Sequence, residues 1–184
     1  IWPGGTVDVN SGTLAADTLE LAGGAFHPNA GSHVQANTLL GLPDEMTFDG
    51  WLTVGHSGGT GVGSHAVDGL QSLEVADGLV VASDGQGTIT QTGGAVSAGA
   101  GLYIGREEGS QGQYAISGGS LVATGVYVGL GGDGTLSIDD PSTSVEVQAE
   151  LVFGPHAVFT ATPGSKIQMT GSAFTNQSTN SLSV

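Results

Sequence analysis

The fold is indicated by two distant segments that resemble each other along their whole length. They read GTVDVNSGTLAADTLELA at residues 5–22 and GQYAISGGSLVATGVYVG at residues 112–129, and they align over eighteen positions without a gap. Their apolar residues coincide in pairs: Val7 with Tyr114, Val9 with Ile116, Leu14 with Leu121, Ala16 with Ala123, Leu19 with Val126, and Leu21 with Val128. Such self-similarity is typical of a repeat architecture in which each copy is one structural unit.

Further copies begin at Gly87, Gly134 and Ala157, so the copies from Gly87 onward follow one another at a nearly constant spacing. Residues 24–41 fit the same pattern more loosely. Each copy holds three short apolar runs that are separated by turns such as Asn10-Ser11-Gly12 and Gly118-Gly119, where Gly and Asn tolerate a positive φ. Three strands in a period of about 22 to 25 residues predict one coil of a parallel β-helix.

Stacked coils should place equivalent apolar residues in ladders, because a single coil cannot bury its apolar face alone. We expect one ladder of Val7, Ile89, Tyr114, Leu136 and Phe159, and another of Leu14, Val96, Leu121, Val145 and Ile167. The prediction is therefore an all-β, single-domain β-solenoid over residues 1–184, right-handed, with an irregular, loop-rich stretch at about 42–86. An antiparallel sandwich is the alternative, and it does not require such a gapless self-alignment.

The composition of the 184-residue chain excludes several classes of partner. Lys and Arg number 2 against 17 Asp and Glu, which gives a formal net charge of −15, and there is no cysteine. We expect no nucleic-acid partner, because phosphates are neutralised by Lys and Arg. Disulfides and thiolate metal sites are excluded. The apolar runs are too short to span a bilayer, so the chain is predicted not to be membrane-spanning.

The glycine-bounded strand pattern resembles a known group of repeats. The resemblance is carried by Thr92-Gly93-Gly94 through Leu102-Tyr103-Ile104-Gly105, and by Ser117-Gly118-Gly119 through Val126-Tyr127-Val128-Gly129. These residues look like the β-strand repeats of bacterial autotransporter passenger domains and of PEP-CTERM-type exported surface proteins. The resemblance covers most of residues 87–175 and returns at 5–22. It implies a β-helix and an extracellular or cell-surface location, and it carries over no catalytic residue.

An enzyme is an alternative, because polysaccharide hydrolases and lyases also use β-helices. A glycosidase needs two carboxylates that face each other roughly 5 to 10 Å apart. The adjacent pairs Asp139-Asp140 and Glu107-Glu108 lie beside turn residues, and neighbours on a strand point to opposite faces. A lyase needs a cationic group, and the chain offers only Arg106, which we expect to form a local ion pair, and Lys166. We therefore predict no enzyme, no catalytic residue and no cofactor, with a polysaccharide-degrading β-helix as the second alternative.

Two polar clusters suggest ligands. His56, His65 and Asp68 share the glycine-rich stretch at residues 55–69, from which a metal site could be drawn. We interpret this stretch instead as a flexible, polar excursion that faces a ligand such as a glycan. Adventitious calcium at turn acids such as Asp133, Asp139 and Asp140 is the other option. The sequence GGDGTL at 131–136 departs from the nonapeptide calcium repeat, which requires an aspartate where Leu136 stands.

The functional prediction rests on the ends of the repeat. The first copy follows directly on Ile1-Trp2-Pro3-Gly4, and residues 176–184 contain no helical or charged cap. Natural proteins normally cover open strand edges, so the chain is expected to be either a segment of a longer β-helix or a subunit that stacks head to tail. Candidate junction residues are Trp2, Leu182 and Val184. The leading hypothesis is a non-enzymatic, extracellular structural protein of a surface fibre, and the alternative is an adhesin or carbohydrate-binding β-helix.

Overall fold

The computed structural model describes residues 1–56, 62–69 and 71–179, and this part of the chain contains β-strands and no helix. The strands are β1 Thr6–Val9, β2 Gly12–Glu20, β3 Ala25–Pro28, β4 Ser32–Leu40, β5 Glu45–Phe48, β6 Trp51–Val54, β7 Gly63–Val67, β8 Ser72–Val75, β9 Gly78–Val81, β10 Gln86–Ala98, β11 Gly101–Ile104, β12 Gln111–Val128, β13 Asp133–Ile138, β14 Ser144–Phe153, β15 Ala157–Ala161, β16 Lys166–Met169 and β17 Ala173–Asn176.

The strands stack in parallel register into a β-solenoid with three faces, as predicted. Face A consists of residues 18–20 and 38–40, β7, residues 86–91 and 111–116, β13 and β15. Face B consists of β1, β3, β5, β8, residues 95–98, 120–123 and 144–147, and β16. Face C consists of residues 12–16 and 32–36, β6, β9, β11, residues 125–128 and 150–153, and β17. The hand of the coil stays a prediction.

The core is made of the expected ladders from the fourth coil onward. On face A, Ile89, Tyr114, Leu136 and Phe159 are consecutive register partners. On face B, the same holds for Val96, Leu121, Val145 and Ile167. Side chains alternate across a strand, so the residues between these positions point outward. The inward ladders therefore form one continuous apolar core along the axis.

The expected ladder positions of Val7 and Leu14 are wrong. Val7 pairs with Phe26 on face B, whereas the alignment put Val7 on face A. Leu14 pairs with Val34 and so belongs to face C, whereas the alignment put it on face B. Residues 5–22 are thus displaced by one strand relative to 112–129. The reason is that all three strands of a coil share one apolar-x-apolar pattern bounded by small residues, so a gapless alignment is satisfied one strand out of phase.

Residues 42–86 contain β5 to β9, and the described strands of this stretch stack in register with their neighbours. Coil length varies most here. On face C, Val34 pairs with Leu52, and Leu52 pairs with Leu79. The number of residues from Leu52 to Leu79 is one and a half times the number from Val34 to Leu52. The longer step includes residues 57–61, which lie outside the described residues.

One polar network lies inside the core. Tyr114 and Gln91 are fully buried on face A. The Tyr114 hydroxyl donates to Gln91 Oε1 at 2.7 Å, and Gln91 Nε2 donates to the carbonyl of Ser120 at 2.9 Å. Burial raises the pKa of the Tyr114 hydroxyl, so this group remains a neutral donor. Buried polar groups are costly when unpaired. In this network, at the turn between faces A and B, the Tyr114 hydroxyl and the Gln91 amide both have hydrogen-bond partners.

Candidate binding surfaces

The histidines predicted to face a ligand lie in the body of the solenoid. His65 belongs to β7, where the register places its side chain on the inward ladder of face A, between Leu39 and Ile89. It is only 9% exposed. The interpretation of this residue as part of a polar loop is wrong, since Gly63, His65 and Val67 alternate inward along the strand.

His56 and Asp68 follow different strands, and only Asp68 is exposed. His56 follows β6, its Nε2 is 3.2 Å from the carbonyl oxygen of Ala16, and its backbone N–H donates to Asn37 Oδ1 at 3.0 Å. Asp68 is exposed beyond the end of β7, and its backbone N–H donates to Gln71 Oε1 at 3.2 Å. In residues 1–56, 62–69 and 71–179 no three His, Cys, Asp or Glu side chains are grouped so that they could hold a metal ion.

The buried position of His65 makes stability depend on pH. Burial lowers the pKa of His65 from its usual value of 6.5, and the Leu39 backbone and Asp68 offset part of this effect. The unfolded chain therefore binds a proton more readily than the folded chain. We expect the free energy of unfolding to fall as pH decreases from 7.5 through 6.5 to 5.5. This is measured by urea unfolding at each pH.

The matched variant is His65→Leu, since Leu and Ile occupy the neighbouring rungs. We expect His65→Leu to flatten this pH dependence while the variant at pH 7.5 stays folded. An equally steep loss of stability in His65→Leu would show that another group is responsible.

An aromatic patch lies on the outer surface of face C, and sequence reasoning missed it. It consists of His33, Trp51, Tyr103, Arg106 and Tyr127. The ring centroids of Trp51 and Tyr103 are 5.8 Å apart, and those of Tyr103 and Tyr127 are 4.7 Å apart and nearly parallel, with an interplanar angle of 10°. The Arg106 guanidinium carbon is 5.4 Å from the centroids of Trp51 and Tyr103. Such distances are typical of cation–π contacts.

Two glycines let these rings lean over the sheet: Gly78 on the coil next to Trp51, and Gly125 on the same strand as Tyr127. A Cβ on Gly78 would lie 2.2 Å from Trp51 Cζ3, and a Cβ on Gly125 would lie 2.7 Å from Tyr127 Cε2. Beneath the rings, Thr53 and Val80 point outward by alternation, yet both are completely buried. The Thr53 hydroxyl is 2.8 Å from His33 Nε2. The patch is therefore a packed layer of side chains that covers the outer surface of the sheet.

The polar groups of the aromatic patch are held in place by their neighbours. Arg106 Nε lies 3.3 Å from Glu107 Oε1, which is the local ion pair that the sequence predicts. The Tyr127 hydroxyl donates to Glu150. Desolvation and this carboxylate raise the pKa of Tyr127, so its hydroxyl remains a donor. Burial and the charge of Arg106 lower the pKa of His33. The patch thus offers donors and an acceptor beside apolar ring surface.

The acidic pairs weighed for catalysis lie in turns. Asp140 Oδ1 accepts hydrogen bonds from the backbone N–H of Ser142 at 2.7 Å and from its hydroxyl at 2.6 Å, which lower the pKa of Asp140. Glu107 and Glu108 lie in the turn between β11 and β12, where the carbonyl of Glu107 accepts from the Ser110 hydroxyl at 2.7 Å. Asp133 Oδ1 lies 3.9 Å from His156 Nδ1. These contacts give the turn acids local structural partners.

The strands of the first and last described coils are paired on one side and leave their other edge open. In the part of the chain that the structure describes, β1 pairs with β3 alone, β15 with β13 alone, and β16 and β17 with β14 alone. Apolar side chains are exposed at these coils, with Trp2 at 80% and Val7 at 37% at one end, and Phe174 at 52% at the other. Leu182 and Val184 lie outside the described residues.

The last coil also contains an apolar cavity of about 200 Å³. Its lining includes the final inward residue of each face, namely Phe159 on face A, Ile167 on face B and Phe174 on face C. All three ladders therefore reach this end of the rod with an apolar side chain.

Comparison of the chain with protein-family models, with curated proteins and with solved structures found no match. Within the described residues, no helix has the length and apolarity needed to cross a membrane. The fold itself defines the chain as a β-solenoid of stacked parallel coils.

Proposed function

We propose that this chain is a non-enzymatic, extracellular structural protein, a β-solenoid shaft segment or subunit of a surface fibre that assembles end to end. The observation that carries the proposal is the pair of terminal coils. An unpaired strand edge is a template for another strand, and coils of a solenoid are stabilised by neighbours on both sides. The turn positions of the acidic pairs support the non-enzymatic part of the proposal.

The chemistry of the two ends favours a head-to-tail contact. If a second copy continues the stack, Phe159 meets Leu19 on face A, Ile167 meets Val7 on face B, and Phe174 meets Leu14 on face C. Each junction joins apolar residues of the same inward ladder, so the core continues across the contact. A heterologous contact of this kind repeats without closing and gives a filament. The net charge of −15 opposes association, so added salt should favour it.

The purified chain of residues 1–184 tests this proposal by light scattering and electron microscopy over a range of protein and salt concentrations. We expect rods whose length increases with protein concentration and with salt concentration. Phe174→Asp should abolish the lengthening, because it buries a charge in the junction. The matched control is Leu130→Asp, which places the same charge at a 39% exposed leucine in the turn after β12. Wild-type protein that stays monomeric at high concentration and salt, or assembly that survives Phe174→Asp, would contradict the proposal.

A further inference from the structure

The aromatic residues on the outside of face C differ in chemistry from those in the core, where Tyr114 is the one tyrosine and its hydroxyl is bonded to Gln91. All five phenylalanines lie on inward ladders: Phe26, Phe48, Phe153, Phe159 and Phe174. By contrast, Trp51, Tyr103 and Tyr127 point outward from face C and are partly exposed. Tyr and Trp combine an apolar ring with a polar group, which suits a surface that is apolar and wet at once. The aromatic patch therefore has the composition of a binding surface.

The patch is also preorganised. The tyrosine rings stack on each other, Trp51 leans over Gly78, and Arg106 bridges Trp51 and Tyr103. Rings that are fixed before binding lose little conformational entropy when a ligand arrives. Trp, Tyr and Arg are the residues that most often dominate binding energy at interfaces.

Charge and hydrogen bonding select the ligand. The chain carries 17 acidic side chains and only two basic ones, counting Lys and Arg together. Of these, Arg106 already lies beside Glu107. Anionic ligands, including nucleic acids and acidic polysaccharides, are therefore disfavoured. The patch combines apolar ring surface with Arg106 as donor and tyrosine hydroxyls that can donate and accept, and the adjoining Glu150, which is bonded to Tyr127, adds an acceptor. A pyranose chain has complementary groups, since its C–H surface is apolar and its hydroxyls both donate and accept.

We infer that the aromatic patch binds a neutral glycan, with the sugar chain lying across Trp51, Tyr103 and Tyr127 along face C. The inference is independent of end-to-end assembly, because the patch lies on the side of the rod and spans coils in its middle. It also differs from the glycan site expected at residues 55–69.

Tryptophan fluorescence provides the test, because the chain has two tryptophans. Trp2→Ala removes the exposed residue and leaves Trp51 as the sole reporter. The probes are neutral oligosaccharides of glucose, xylose and N-acetylglucosamine, and an oligogalacturonate serves as the acidic control. We expect a saturable change in emission with at least one neutral probe and none with the acidic probe. Trp51→Ala, followed by calorimetry, should weaken binding by about tenfold or more, whereas Trp2→Ala should leave the affinity unchanged.

Glu150→Gln is the second variant, chosen because it keeps the shape of the side chain and removes the charged acceptor. It should weaken binding several-fold while circular dichroism and thermal unfolding show a folded protein. Failure of every neutral probe at millimolar concentration, or an affinity that is unchanged in both Trp51→Ala and Glu150→Gln, would overturn the inference. Binding of the acidic probe alone, or binding of a protein partner through the patch with no glycan binding, would also overturn it.

Discussion

Alanine in place of Gly112 is expected to lower the free energy of unfolding by about 3 kcal/mol. A Cβ at this position would lie 2.4 Å from the backbone nitrogen of Gly105 and 2.4 Å from the carbonyl oxygen of Val81. Val81 belongs to the preceding coil and Gly105 to the preceding corner of the same coil. Both obstacles are backbone atoms, so a side-chain movement cannot relieve the clash. Gly87 and Gly134 occupy the same corner of the two adjacent coils, and a Cβ on either would lie 2.3 Å from a backbone atom. Stacking of the coils therefore requires glycine at this corner.

Gly109→Ala is the matched control for this prediction. Gly109 has a φ of +81° and no atom within 4 Å of the added Cβ, so alanine there meets only the backbone penalty of about 1 kcal/mol. Urea unfolding of the two variants separates crowding from conformational strain. If Gly112→Ala were no more destabilising than Gly109→Ala, the close approach of coils at this corner would be refuted.

The second large effect is expected at Leu121, which is completely buried in a central coil. Leu121→Ala should cost about 3 to 4 kcal/mol, because the rigid backbone on both sides leaves the cavity unfilled. Ile167 lies two rungs further along the same ladder, in the last coil, and is only partly buried. Ile167→Ala should therefore cost about 1 kcal/mol in dilute, monomeric protein.

Thermal and urea unfolding at low protein concentration measure this difference. If the chain assembles end to end as proposed, Ile167 becomes an interior residue, and its substitution should then weaken association as well. Equal costs for Leu121→Ala and Ile167→Ala in the monomer would argue against a core whose burial is set by position along the axis.

The period of the repeat was sufficient to predict the architecture, because equivalent apolar residues must stack in any coil of three strands. The phase was not predictable in the N-terminal copy. Val7 and Leu14 sit in patterns that suit any of the three faces, and the step from Leu14 to its partner Val34 is shorter than any step between the copies that defined the period. Only the long-range pairing of β1 with β3 and of β2 with β4 resolves this degeneracy.

The aromatic patch was not predictable for a related reason. Trp51, Tyr103 and Tyr127 come from three different coils, and the rung of Trp51 could not be assigned from sequence. The tyrosines were visible only as part of a repeat pattern. His65 shows the opposite case, since the alternation of Gly63, His65 and Val67 was present in the sequence and was obscured by the glycines around it.

The proposed head-to-tail assembly is tested most directly by mixing two end variants. Val7→Asp charges the first coil and leaves the last coil intact, whereas Phe174→Asp charges the last coil and leaves the first intact. Each variant alone should remain a monomer of 18.1 kDa, because every junction would contain one charged end. An equimolar mixture should form dimers through the one intact pair of ends, seen by light scattering as a doubled mass. Monomers in the mixture, under conditions where the wild-type chain polymerises, would contradict head-to-tail stacking of the solenoid.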